Sequence, residues 1–307
     1  MRLMTVPMIV VLFGPSAAAQ DKSATVPATT QRWQVGVKIT AVSGPSIDVM
    51  AAAPIPTKWP EQQVEVVDQD VSNNVTRIRY RKIGNGAKQL VVDVARLKQG
   101  ESAHALFTFA ITKSFPKLPK DTAQFQRPQK SLIELREYLA TSPYIESSHT
   151  KIKKLAPTIV QGDTDWQRVE SIYDWVRANV RYVNGELKGA LAALEDGTGD
   201  CEEMTSLFIA LCRANRIPAR TVWVPGHCYP EFYLEHPERG GQWFPCQAAG
   251  ARAFGEMPEK NPILQKGDNF KLPELRKRLR YAQVVLTAAN RPGFTQPSVA
   301  YICQPRK

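Results

Sequence analysis

From residue 32 to about residue 115 the chain alternates apolar and polar positions with a period of two. Trp33, Val35, Val37 and Ile39 interleave with Gln34, Gly36, Lys38 and Thr40. A strand of this kind buries one face and wets the other. Ile78 and Tyr80 alternate with Arg77, Arg79 and Arg81, and a turn signal follows at Gly84-Asn85-Gly86. Leu90, Val92 and Val94, then Phe107, Phe109 and Ile111, complete the series. Short alternating strands with no helical stripe predict an all-β, sandwich-like domain over 31–115. The arginine row at 77, 79 and 81 reads as a solvated strand face.

Pro116, Pro119 and Pro128, with polar residues between them, predict a linker over 116–147. Beyond it the period lengthens to 3.6. Trp166, Val169, Ile172, Tyr173 and Val176 make one apolar helix stripe, with Asp163 to Asp165 available as cap and first-turn acids. Met204, Leu207, Phe208 and Leu211 make a second stripe, ended by Ile217-Pro218. A mixed α+β domain is therefore expected over 148–260, followed by a basic extension over 261–307.

The composition of the 307 residues, 43% hydrophobic and 22% charged with 23 Pro and 18 Gly, excludes a long disordered chain, a collagen-like repeat and a coiled coil. Arg2, the apolar run Met4 to Phe13 and the small residues Ala17-Ala18-Ala19 read as a signal peptide over 1–19. That run is shorter than the roughly 20 residues a membrane-spanning helix needs. The expectation is an exported protein, periplasmic or extracellular, that does not span a membrane.

The formal net charge is +11, and Lys271, Arg276, Lys277, Arg278 and Arg280 crowd one short run. With no nucleic-acid motif beside it, this run predicts affinity for acidic surfaces rather than for a specific nucleic acid.

The five cysteines are too few for a disulfide scaffold, so their positions matter more than their number. Cys201 lies in Gly197-Thr198-Gly199-Asp200-Cys201-Glu202-Glu203. Asp200 suits an N-cap and the glutamates suit a first turn, which places Cys201 at the first position of a buried helix. Free N–H groups and the helix dipole there favour a thiolate. Cys212, eleven residues on with apolar neighbours, reads as core.

A nucleophilic thiol needs a base, and the four histidines are His104, His149, His227 and His236. His104 belongs to the strand domain, His149 to a polar stretch, and His236 to a loop that reads as an exposed hairpin turn. His227 opens the strand-like run Cys228 to Leu234 and is the best candidate. No C-x-x-C or H-x-x-x-H spacing supports a zinc site.

The order Gly-Asp-Cys-Glu-Glu, buried helix, Arg-Ile-Pro-Ala-Arg, two strands, then His-x-x-x-Glu-x-Tyr resembles the bacterial transglutaminase-like cysteine enzymes. The lead-in Ile172 to Val176 and Tyr182 is similar too, and the resemblance covers roughly 150–250. It implies a papain-like core, with a nucleophile helix on an antiparallel sheet and a Cys-His-Asp triad acting on amide or ester carbonyls. Cys201 matches the nucleophile and His227 the base. Gln247 stands where the family has aspartate. A glutamine carbonyl can still accept a hydrogen bond from the imidazole, at an expected loss of about 1–2 kcal/mol of stabilisation. The Cys201 N–H is a natural oxyanion donor.

If His227 pairs across a hairpin with Gln247, Cys228 falls opposite Cys246, as a cross-strand disulfide or as two buried thiols. The resulting expectation is an exported acyl-transfer enzyme on a protein or peptide substrate, requiring no cofactor. The alternative is a weakly active or inactive binding protein of the envelope.

Overall fold

The computed structural model describes residues 28–115, 117–130 and 132–306, so the leader read at 1–19 lies outside the described residues. The N-terminal region forms β1 (Thr29–Thr40), β2 (Ser46–Ile55), β3 (Gln62–Val71), β4 (Arg77–Lys82), β5 (Lys88–Leu97) and β6 (Ser102–Lys113). These pair antiparallel as β1-β6-β3 and β2-β5-β4. The period-two residues do what their spacing predicts. Trp33, Val35, Val37, Ile39, Phe107, Phe109 and Ile111 share one buried cluster with Leu90, Val92 and Val94 of the facing sheet. Each fully buried Val, Ile or Phe contributes about 1.5–3 kcal/mol by leaving water. The arginine row is partly paired: Arg79 meets Asp93 at 2.6 Å and Arg81 meets Glu274 at 2.5 Å.

The second region contains α1 (Thr150–Leu155), α2 (Asp165–Asn179), β7 (Arg181–Tyr182), α3 (Gly189–Asp196), β8 (Thr198–Gly199) and α4 (Cys201–Ala214). Then follow β9 (Ala219–Val224), β10 (His227–His236), β11 (Gly240–Pro245) and β12 (Gln265–Lys266) in one sheet of order β11-β10-β9-β12. Thr164 caps α2 through a capping box with Gln167. Helix α4 is buried from Glu203 to Arg213 and packs on α1, α2, α3, β9 and β10. The fold is thus α+β, a core of helices packed on an antiparallel sheet joined to a sandwich.

Three expectations change. The stretch read as a linker packs over its later part: Phe125, Leu135, Tyr138 and Ile145 are buried, and Gln126 pairs with Glu235. The basic C-terminal residues do not form a separate extension. They carry β13 (Val285–Thr287), which pairs with β2, and β14 (Ser298–Arg306), which pairs with β1 along its length. Each sandwich sheet therefore gains a fourth strand from the far end of the chain. Finally, His236 ends β10 with 4% exposure, near Asp121 and edge-on to Phe125, so it is not in an exposed turn.

Buried polar groups weld the two regions. The Gln62 amide donates to the carbonyls of Thr57 and Ile263 at 2.9 Å each and accepts from the Ile263 N–H at 2.7 Å. The Lys266 ammonium meets Glu61 at 2.5 Å and Glu231 at 2.7 Å, and Glu231 also pairs with Arg220 at 2.8 Å. Behind α4, Arg213 is fully buried and binds both oxygens of Asp268, at 2.9 and 2.8 Å. Its remaining donors reach the carbonyls of Ala140 and Ala219.

Candidate active site

The nucleophile turn is built by its neighbours in sequence. The Asp200 carboxylate accepts the Glu202 N–H at 2.7 Å, and Glu203 bonds back to the Asp200 N–H at 3.2 Å, closing a capping box. The other Glu203 oxygen accepts the Lys188 N–H at 3.0 Å, so one buried carboxylate ties the start of α3 to the start of α4. Burial opposes ionisation of Glu203, yet these backbone donors hold its carboxyl below the usual range. Burial, with Glu203 beside it, lifts Asp200 to about 6. Gly199 is obligatory here, because a Cβ would come within 2.4 Å of Glu203 Cβ. Cys201 emerges half-buried at the first helical position, where its N–H has no carbonyl one turn back.

The strand side arrives through a two-residue turn at Pro225-Gly226, with Gly226 at φ +73° and His227 paired with Val224. The closing pair of such a hairpin is hydrogen-bonded, so the next residue, Cys228, turns its N–H away from β9. On that side β11 stops at Pro245, and α4 presents Cys201. Cys228 is 1% exposed, and its sulfur lies 3.6 Å from the Cys201 carbonyl oxygen. The Cys228 thiol, then the His227 imidazole and the Cys228 N–H, lower the Cys201 thiol to about 4 against burial. Reciprocally, the Cys201 sulfur raises His227 above its ordinary value, with burial opposing and Gln247 assisting. Each group thus favours the charged form of the other.

His227 Nε2 lies 3.2 Å from Gln247 Oε1, which leaves Nδ1 for the sulfur. A doubly protonated ring needs an acceptor on Nε2, and the amide oxygen provides it. Gln247 is itself held. Its carbonyl accepts from the Tyr173 hydroxyl at 2.9 Å and from Arg177 at 3.1 Å, and its N–H donates to the Ala253 carbonyl at 2.8 Å. Arg177 also reaches the carbonyls of Ala248 and Gly250. The structure thus brings together all three residues expected from the sequence. It adds Cys228, Tyr173, Arg177 and Glu203, to which the sequence analysis assigned no part in the triad. Tyr173 was visible only as part of an apolar stripe, Glu203 as a first-turn acid, and Cys228 as a possible disulfide partner of Cys246.

The expected register does not hold, and with it goes the disulfide. Glu231 pairs with Pro245 and His236 with Gly240, leaving three residues for the turn and Gly240 at φ +76°. The expected pairing would have set His236 opposite Glu238, with one residue to reverse the chain. In the observed register Cys246 bonds to Pro230 at 3.0 Å, and both Cys228 and Cys246 are free and buried. Burial drives Cys212 and Cys246 well above the ordinary thiol range. His104 pairs with Asp70 at 2.8 Å, and His149 caps α1. Among the described residues no group of three or more His, Cys, Asp or Glu side chains is placed to hold a metal ion. Nor is any helix among them long and apolar enough to cross a membrane.

Cys201 and His227 open into a cleft of about 780 Å³ between the two regions. Trp223 and Leu264 line one side, while Lys277, Arg278, Arg280 and Tyr281 line another. Tyr301 and Cys303 of β14 complete it, so a sandwich strand forms part of the wall.

Residues 153–248 match the model of the transglutaminase-like superfamily. No curated protein matches the chain in sequence. The crystal structure of a protein described as a putative cysteine protease from Cytophaga hutchinsonii aligns over 91% of this chain and 92% of its own, at 18% identity and a TM-score of 0.59. At that identity the likeness is one of fold. A protein described as a putative protease from Parabacteroides distasonis aligns over 74% of this chain and 47% of its own, at 12% identity and a TM-score of 0.28, too slight an overlap to carry weight. The region that holds the cysteine helix and the histidine strand is therefore a transglutaminase-like domain, set in a fold shared along most of the chain with the Cytophaga protein.

Proposed function

We propose that this protein is an exported cysteine-dependent acyl-transfer enzyme acting on peptide or side-chain amides. The observation that carries the reading is the placement of His227 between Cys201 and the Gln247 amide oxygen, with the thiol held near 4. The Cys201 thiolate attacks the carbonyl carbon, forming a C–S bond and pushing the π pair onto oxygen. The Cys201 N–H donates to that oxyanion. As the C–N bond breaks, His227 gives its Nδ1 proton to the leaving nitrogen, which leaves a thioester. The now neutral imidazole takes a proton from water or an amine, the acyl group departs, and the thiolate returns. Gln247 fixes the ring throughout but adds no charge, so it stabilises the imidazolium less than a carboxylate would.

Export rests on the charge, apolar run and small residues of positions 1–19. N-terminal sequencing of the mature protein tests it, with a start near residue 20 expected. The enzymatic reading is tested by trapping the thioester. Incubation with peptide, glutaminyl and ester substrates, followed by acid quench and mass spectrometry, should show an acyl adduct on Cys201 that is absent in Cys201→Ala. If no substrate class leaves an adduct and Cys201 alkylates only as an ordinary thiol does, the domain binds without catalysing.

A further inference from the structure

The basic run near the C-terminus keeps Lys271, Arg276, Lys277 and Arg278 exposed but is fixed in place by its apolar residues. Leu272 and Leu279 are buried in a cluster with Ile83, Ala87 and Val285. Phe270 and Leu279 exchange backbone hydrogen bonds at 2.7 and 2.8 Å, closing 270–279 into a strap. Glu274, the one acid among 271–280, turns away to Arg81 at 2.5 Å. The strap is therefore anchored to the sandwich while it carries Lys277 and Arg278, both exposed, along the cleft that holds Cys201. Deeper in, Arg280 lies over the Trp223 ring and donates to the Glu202 carbonyl at 3.1 Å.

The charges lining this cleft do not balance. Among the described residues Glu202 is the one carboxylate lining it, and Arg280 lies 3.4 Å from that group. Against it stand Lys277, Arg278 and Arg280, while His227 is matched by the sulfur of Cys201 in the same lining. Nη1 of Arg280, buried in the wall, has no hydrogen-bond partner. Protein surfaces ordinarily intersperse both signs, whereas a concave site of one sign concentrates the opposite charge in it. Tyr144, Trp223, Tyr281 and Tyr301 supply flat surfaces against which a chain segment can lie.

We propose that this cleft selects an acidic peptide segment, with carboxylates flanking the amide presented to Cys201, and that Lys277 and Arg278 are its specificity-determining residues. The inference rests on Cys201 being the nucleophile of this site.

A test needs no knowledge of the natural substrate. The full-length protein is alkylated with iodoacetate (anionic) and with iodoacetamide (neutral), and the rate at Cys201 is followed by mass spectrometry at low and high salt. Because His227 itself attracts an anion, the change caused by a variant decides the matter. In Lys277→Glu/Arg278→Glu the iodoacetate-to-iodoacetamide ratio should fall about three- to ten-fold at low salt, and the difference should shrink at 0.5 M salt. Lys277→Gln/Arg278→Gln should give about half the effect on a logarithmic scale, while Lys271→Glu, which is exposed and off the cleft lining, should give little. A Glu- and Asp-rich peptide should protect Cys201 from iodoacetamide, and its Gln and Asn counterpart should not. Rapid alkylation with an unchanged ratio in both double variants overturns this proposal alone. Slow alkylation by both reagents overturns the nucleophile reading, and the proposal falls with it.

Discussion

Replacing Cys228 by alanine removes one sulfur and asks how the thiolate is held. The Cys228 thiol is the largest influence lowering Cys201 from 9.0 to about 4, ahead of His227 and the Cys228 N–H. Alanine keeps the N–H and deletes the thiol. A hydrogen bond to a charged group is worth about 1.5–3 kcal/mol, and one pKa unit about 1.4 kcal/mol, so the Cys201 midpoint should rise by about one to two units. The assay is the second-order rate of iodoacetamide at Cys201 between pH 3.5 and 9. Fully buried Cys212 serves as the control, because its labelling would report unfolding.

The native protein should react at a nearly constant rate from about pH 5 to pH 8, since its thiolate is already formed. An ordinary thiol climbs about tenfold per pH unit over that range. In Cys228→Ala the plateau should begin one to two units later and stand about three- to eight-fold higher, because a more basic thiolate is the better nucleophile. Cys228→Ser retains a donor and should lie nearer the native profile. A midpoint that moves by less than half a unit would show that the Cys228 S–H is given to the Cys201 carbonyl oxygen, 3.6 Å away, rather than to its sulfur. A native profile with no plateau would sink the whole account of the ion pair.

Three other outcomes follow from the structure. His227 is raised above 6.5 by its thiolate partner, so the imidazolium is complete below that pH and is lost as pH climbs through the raised value. Acyl-enzyme formation should therefore be bell-shaped, with an acid limb near 4 and an alkaline limb above 6.5, and an alkaline midpoint below 6.5 would contradict it. Gln247→Ala should slow acylation about three- to ten-fold, the worth of one orienting hydrogen bond, and a loss of a thousand-fold would mean that Gln247 does more than orient. Asp268→Asn strips the carboxylate from fully buried Arg213 and should lower unfolding free energy by about 3–5 kcal/mol in urea titrations. A change below 1 kcal/mol would show that the Arg213 carbonyl acceptors suffice.

What the sequence disclosed was local. Period-two strands around Val35 and Phe109, the α2 stripe and the Asp200 cap depend on neighbours within a few residues, and each appears where its spacing put it. The grouping of Cys201, His227 and Gln247 was legible because an ordered family motif spans them. Strand partners far apart in the chain were not legible. Nothing in the alternation of β1 says that Val35 will face Cys303, because any exposed edge with the right pleat could take that place. The hairpin register failed for a similar reason. The turn at 237–239 sets it, and moving one residue at each strand separates Cys246 from Cys228. The basic run was visible as composition, but its meaning depended on the strap that carries it to the cleft.

The return of β14 to β1 also sets the order of events in the life of the chain. Pairs such as Gln34 with Gln304 join positions almost as far apart as the sequence allows, the kind of contact that forms late and slowly. On a ribosome, the cysteine helix and its histidine emerge and can condense well before residue 298 is made. Tyr301 and Cys303 are still missing from the wall at that stage. A nascent chain thus carries the cysteine helix but not a finished cleft. The wall is complete only once β14 has docked on β1, so the cleft beside Cys201 takes its final form after the cysteine helix is in place.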